Sequence, residues 1–413
     1  MSSDDRPSSR RVVVTGLGVL SPIGIGVDAF WSAALAGRVG TGPITQFDAS
    51  RFRTHHGGEV GDIVGKHVLA ARGARATRLA VAASAMCLED AGLRVDGRAS
   101  EARIGVCLGT IMGPRPAVEE ALARHVEHGG SLRLPLCESD PAEIGRAPAR
   151  ELGLDGPNVT LPGTCTAGNA AIGYGLDAIQ DGGVDVMLVG GAEQLSEQVF
   201  MMFDGMRALS PDVVRPFDAD RRGILLAEGA AVLALERLDR ASRRGARIYG
   251  EVLGYGSASD AHHLTAPDPE GKGAIRAMES ALRSARARPE SIDFVNAHGT
   301  GTPLNDRMEA RAIGHVFRTR SSPVPVTAVK SLIGHTSGAA GAVGSLVALL
   351  AIRDGLIPPT ANVRVRDPEC ELDLVTDRPR AVPIRFALNN AFGFGGSNDS
   401  LVFGAWDPGS SPA

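Results

Sequence analysis

The chain has little of what marks several protein classes. Its five cysteines, Cys87, Cys107, Cys137, Cys165 and Cys370, are scattered through 413 residues, odd in number and never spaced as CxxC. That pattern argues against a disulfide framework or a zinc site and for a reducing compartment. The net charge of −4 gives no electrostatic footprint for nucleic acid, and no nucleic-acid-reading motif occurs. Long hydrophobic runs are missing as well. The apolar "VVVTGLGVL" after the polar "MSSDDRPSSRR" is too short to span a bilayer and reads as a buried strand. A cytoplasmic protein with no membrane and no nucleic-acid partner is the expectation. Lysine is scarce too: of 43 cationic residues only Lys66, Lys272 and Lys330 are lysines. Aromatics are down to 4%, while glycine reaches 52 residues, a mix suited to close backbone approaches.

The length points to two domains or one large layered unit. Continuous apolar runs at 11–18, 103–110, 184–191, 230–238, 247–259, 292–300, 323–331, 386–396 and 399–406 read as strands covered on both faces. Helical patterns fall between them, at about 70–92, 115–129, 167–181, 272–287, 306–317 and 338–354. The fold class is α/β with layered sheets. One internal echo stands out. "CTAGNAAIGYGLDAIQDG" (165–182) and "HTSGAAGAVGSLVALLAIRDG" (335–355) each open on a chemically capable residue, continue as an Ala/Gly-rich helix and end in Asp-Gly. Such helices pack closely on all sides, so both belong at a buried centre, and the chain reads as two duplicated halves, 1–250 and 251–413.

Four stretches can carry chemistry. Cys165 precedes a helix, where the dipole and free N–H groups favour thiolate, although a lone cysteine is more often simply a small buried residue. His298 closes an apolar strand in "NAHGTGTPLND", ahead of Thr300 and Thr302; it either acts or caps the strand. His335 in "KSLIGHTSGAAGA" occupies the place that Cys165 has in the other half, with Lys330 five residues before it. In a chain that uses arginine almost everywhere, a lysine there suggests a compact, tunable ammonium. "NNAFGFGGSN" (389–398) is a bendable loop whose N–H groups could hold an oxyanion and whose phenylalanines could gate a pocket.

Taken in order, Cys, His, Lys, His and a Gly/Phe loop resemble the β-ketoacyl-acyl-carrier-protein synthases, the ketosynthases of fatty acid and polyketide assembly. The likeness runs from "RRVVVTGLGVLSPIG" to "LNNAFGFGGSNDSLVFG". It implies the thiolase fold, five layers α-β-α-β-α. It implies decarboxylative condensation of an acyl group on Cys165 with a malonyl-carrier thioester, aided by His298 and His335. Through the same likeness Lys330 would shape the site's electrostatics and orient the second histidine, with Glu309 as its acidic partner and Asp306 supporting the turn. The N–H groups of Cys165 and Phe394 would form the oxyanion hole. Phe394 would gate the pocket, with Phe392 as its packing partner, and Met112 would line the acyl pocket. Thr300 and Thr302 would bond the pantetheine arm. No cofactor is expected to be bound, because substrates arrive on the phosphopantetheine of an acyl carrier protein. Arg72, Arg75 and Arg207 are candidates for docking that carrier.

Three departures from the family pattern matter: Pro162-Gly163-Thr164 before the cysteine, Gly344 where many relatives carry Glu, and the charged stretch 134–153. They favour a type II polyketide or polyene ketosynthase paired with a chain-length-factor subunit. The alternatives are a homodimeric fatty-acid elongation synthase and a non-catalytic chain-length-factor subunit, the last disfavoured because Cys165, His298 and His335 are all present.

Overall fold

The computed structural model describes residues 11–61, 73–93, 102–132 and 139–407. Numbered in chain order, its main strands are β1 (Val12–Ser21), β2 (Ile104–Thr110), β3 (Asn158–Pro162), β4 (Val186–Glu193), β5 (Gly229–Arg237), β6 (Gly250–Ser259), β7 (Phe294–Asn296), β8 (Pro325–Thr327), β9 (Asp373–Leu374), β10 (Phe386–Gly393) and β11 (Ser397–Gly404). The helices that matter are α1 (Arg75–Asp90), α2 (Ala167–Gln180), α3 (Glu197–Gly205), α4 (Lys272–Ala285), α5 (Pro303–Val316) and α6 (Ala340–Asp354).

Two halves repeat one topology. In the first, the order is β1-β5-β4-β2-β3, the first two pairings antiparallel and the last two parallel. In the second it is β6-β11-β10-β7-β8 with the same pairing senses, and β9 added at the far edge. The halves meet where β1 runs antiparallel to β6, through Val13–Glu251 and Val14–Gly250. The strands of the second half begin with β6 at Gly250.

Helices α2 and α6 lie between the two halves of the sheet, with α1 outside the first half and α4 and α5 outside the second. This is the five-layer arrangement expected of the thiolase fold. The Ala/Gly composition of α2 and α6 has a direct steric reason. A Cβ on Gly168 would lie 2.8 Å from the Ala342 nitrogen, so the two central helices could not meet at that distance with larger residues. Residues 337–354 are apolar enough to cross a membrane by composition, but they are buried in this core.

Some local expectations fail. The run 323–331 is strand only at 325–327; Lys330 begins a one-turn helix, Lys330–Ile333. Periodicity cannot separate a short buried helix from a buried strand when every side chain is apolar. Strand β3 and helix α3 were not foreseen. β3 is an edge strand, half-exposed and closed by Pro162, so it lacks the apolar run of its neighbour β2.

Candidate active site

The N-terminal ends of both central helices open onto one cavity of about 430 Å³. Its wall includes Cys165, His298, His335, Thr300, Thr302, Phe392 and Phe394, so the fold gathers most of the residues singled out in the sequence. Cys165 stands two residues before α2. The Ala167 N–H donates to the Thr164 carbonyl (3.0 Å), which closes the first turn and leaves the thiol at the positive end of the helix. Burial nevertheless pushes the thiol up to about 11, and the Lys330 ammonium acts against that rise.

His298 follows β7 and is held from behind. The buried Glu309 carboxylate accepts from the N–H of His298 (2.7 Å) and of Gly299 (2.8 Å), and Asn390 adds a third donor at 3.3 Å. Lys330 Nζ donates to the His298 carbonyl (2.6 Å) and to its Nδ1 (3.3 Å). His335 Nδ1 in turn accepts from the Ser337 N–H (3.0 Å). A neutral imidazole that accepts at Nδ1 carries its proton on Nε2, so each ring keeps one donor. Burial, reinforced by Lys330, holds both imidazoles well below the ordinary histidine range. The rings sit 5.5 Å apart, nearly perpendicular, as two neutral donors beside a thiol.

Several assignments change. Lys330 hydrogen-bonds His298, and it acts on the second histidine only through its charge. Glu309 does not hydrogen-bond Lys330. It anchors backbone, and the two interact only through the field across the site. Burial draws the Lys330 ammonium down to about 8, with Glu309 opposing, and pushes Glu309 up to about 7. Asp306 does support the turn, accepting from the N–H of Phe217 (2.8 Å) and Gly301 (3.1 Å). The Thr300 and Thr302 hydroxyls are 2.9 Å apart on the cavity wall.

Phe392 packs on His298 at 5.8 Å rather than on Phe394. Phe394 stacks instead on Phe203 of α3, at 5.4 Å and 16°. Glycine is required just before it: a Cβ on Gly393 would run into Thr164 Oγ1 and sit 3.3 Å from the Cys165 nitrogen. That close approach puts the Phe394 N–H in the neighbourhood of the Cys165 N–H.

Met112 does not line this cavity. It faces a small separate space with Leu195, Val199 and Leu226, behind Ser337. Arg75 is half-buried in an ion pair with the buried Glu228 (2.6 Å) and also donates to the Val60 carbonyl, so it braces the fold rather than presenting a docking charge. Arg72 lies outside the described residues. Arg207 is exposed at the cavity mouth, where it is joined by Arg222. Pro162 and Gly163 are exposed at the end of the edge strand. Gly344 faces Asn389 and Asn296, whose amides occupy the room a side chain would need. Sequence reasoning missed Arg222, Phe203 and Glu193. The last was signalled by "GGAEQ", an acid closing a wholly apolar strand. Among the described residues no group of three or more His, Cys, Asp or Glu is placed to hold a metal.

A thiol at a helix start, two neutral imidazole donors and a glycine loop on a duplicated five-layer fold define a thioester-condensing class of site. Residues 9–241 match the family description "Beta-ketoacyl synthase, N-terminal domain" and residues 249–364 match "Beta-ketoacyl synthase, C-terminal domain". The chain is 39% identical over 407 residues to a 3-oxoacyl-[acyl-carrier-protein] synthase 2 of Coxiella burnetii, covering 95% of this chain and 98% of the relative. It is 38% identical over 417 residues to the tetracenomycin polyketide synthase ketoacyl synthase alpha subunit of Streptomyces glaucescens, covering 96% and 97%. The solved ishigamide ketosynthase/chain length factor superposes with a TM-score of 0.92 at 41% identity, over 97% of this chain and 100% of that one. The chain belongs to the β-ketoacyl synthase family, and it is a condensing enzyme.

Proposed function

We propose that this chain catalyses decarboxylative Claisen condensation as the ketosynthase of a type II polyketide or polyene pathway, with a chain-length-factor subunit as partner. The observation that carries the chemistry is the convergence of Cys165, His298 and His335, both imidazoles neutral with Nδ1 occupied, on one cavity. The Cys165 sulfur attacks the thioester carbonyl of an acyl carrier. A new C–S bond forms and the carrier thiol departs with the proton. A malonyl-carrier thioester then enters, its pantetheine arm running past Thr300 and Thr302. As CO2 leaves, the C–C bonding pair moves into an enolate whose oxygen accepts from the two Nε2–H groups. The enolate carbon attacks the acyl carbonyl on Cys165. The resulting oxyanion is held by the N–H groups of Cys165 and Phe394, and collapse releases the thiolate and the β-ketoacyl carrier.

The partner assignment is supported by the surface of the first half. Among the described residues β3 pairs only with β2 and its other edge has no strand beside it, with Val159 and Leu161 half-exposed. Natural sheets rarely leave such an edge uncovered, and this one leads straight to the nucleophile turn at 162–165. The comparison structures include a ketosynthase with its chain length factor and a type II polyketide ketosynthase bound to its acyl carrier protein. The housekeeping alternative is a homodimer joined along the same edge. Co-expression with a homologous subunit lacking the cysteine separates the two: a stable heterodimer with restored elongation supports the proposal, and a fully active homodimer alone overturns it.

A further inference from the structure

Glu193 ends β4 and is almost wholly buried, yet the proposed chemistry does not use it. Its carboxylate is saturated by donors from two distant segments. Oε1 accepts from the Thr110 hydroxyl (3.1 Å), the Met112 N–H (3.0 Å) and the Gly113 N–H (2.9 Å). Oε2 accepts from the Ile111 N–H (2.6 Å) and the Gly338 N–H (3.1 Å). The first segment is the loop leaving β2 in the first half. The second is the turn after His335 in the second half, and its Ser337 N–H is the group that occupies His335 Nδ1. Ser337 adopts a left-handed conformation, φ 49°, which a non-glycine residue holds only when its neighbours are fixed. His298 has the same device: Glu309 grips its backbone and Lys330 occupies its Nδ1.

We infer that Glu193 is a positioning residue for His335, clamping the 336–338 turn to the β2 loop so that the Ser337 N–H keeps the His335 proton on Nε2. This rests on the reading of His335 as an Nε2–H donor in decarboxylation. Glu193→Gln tests it with little change of shape. An amide can serve only one of the two oxygen positions. The three donors at Oε1 retain the amide oxygen, which sets the amide NH2 against the N–H groups of Ile111 and Gly338. The grip on the His335 turn is the part released.

The experiment compares wild type and Glu193→Gln by Cys165 acylation in a single turnover, malonyl-carrier decarboxylation, and long-range proton–nitrogen spectra of histidine-labelled protein. Expected for the variant are acylation within about twofold, kcat for decarboxylation lower by about tenfold to a hundredfold with KM unchanged, and mixed tautomers at His335 with His298 unaltered. Equal loss of acylation and decarboxylation with a pure Nε2–H His335, or wild-type behaviour throughout, overturns the inference. Should the variant not fold, hydrogen exchange of the wild-type protein decides: slow, matched exchange of the Ile111, Met112, Gly113 and Gly338 amides supports the clamp, and rapid exchange at Gly338 refutes it. If the wild type itself releases no CO2, the functional reading fails, while tautomer and exchange data still judge the clamp.

Discussion

Alanine at Gly344 would press a methyl group into the polar seam between helix α6 and strands β7 and β10. Its Cβ would lie 2.5 Å from Asn296 Nδ2 and inside the contact distance of Asn389 Oδ1. Asn389 has nowhere to retreat. Its Nδ2 donates to Asn169 Oδ1 (2.9 Å), the Gly341 carbonyl (2.9 Å) and Ser345 Oγ (3.0 Å), and its Oδ1 accepts from Asn296 Nδ2 (2.7 Å). Overpacking a rigid core costs about 1–3 kcal/mol. Losing two of these four bonds adds roughly 1 kcal/mol each. The expected destabilisation is therefore about 3–5 kcal/mol, a large share of an ordinary domain's ~5–15 kcal/mol. The disturbance also reaches the site, because Asn296 lies two residues before His298 and Asn389 four before Gly393. Decarboxylation should fall by about tenfold or more. Urea denaturation with paired activity assays measures both effects. Removing the obstructing amide by Asn389→Ala should rescue part of the loss, leaving the double variant about 1–3 kcal/mol better than the sum of the singles. Gly344→Ala within about 0.5 kcal/mol of wild type, or strict additivity, would refute the reasoning.

Further outcomes are expected. Glu309 keeps its charge above about 7 and loses it as pH falls, while Lys330 keeps its charge below about 8 and loses it as pH rises. Decarboxylation should thus trace a narrow bell between those values, with an acid limb that disappears in Glu309→Gln; an unchanged limb would mean that a histidine titrates instead. Lys330→Ala removes a cation that favours the Cys165 thiolate, so iodoacetamide should alkylate Cys165 more slowly at pH 8, and an unaltered rate would contradict the role given to Lys330. Arg207→Glu and Arg222→Glu, both at the cavity mouth, should raise KM for the acidic carrier severalfold and leave kcat near wild type in low salt, with the difference shrinking at high salt.

Much of this architecture was legible in the sequence because apolar periodicity and small residues have local causes. The paired Ala/Gly helices reveal the duplication, since only glycine and alanine let them touch. What stayed hidden depends on long-range contact. Glu193 reads locally as an acid at a strand end, but its partners lie 80 to 145 residues away. The family resemblance pairs Lys330 with His335, five residues on, yet its hydrogen-bond partner is His298, 32 residues earlier. Phe392 and Phe394, two apart, would share a face on a continuing strand, but β10 ends at Gly393 and Phe394 opens a tight turn, so one ring meets His298 and the other Phe203. β3, an edge strand with a half-exposed face, carries no continuous apolar run to mark it in the sequence.

The central claim is that Cys165 carries the acyl group while His298 and His335 serve the decarboxylation. Intact and peptide mass spectrometry after incubation with an acyl carrier thioester, alongside CO2 release from malonyl carrier, tests it most directly. The account predicts one acyl adduct on Cys165 in wild type, its persistence in His298→Ala and His335→Ala, and loss of CO2 release in both histidine variants. An adduct that survives Cys165→Ala, or histidine variants that lose acylation yet decarboxylate normally, would contradict it.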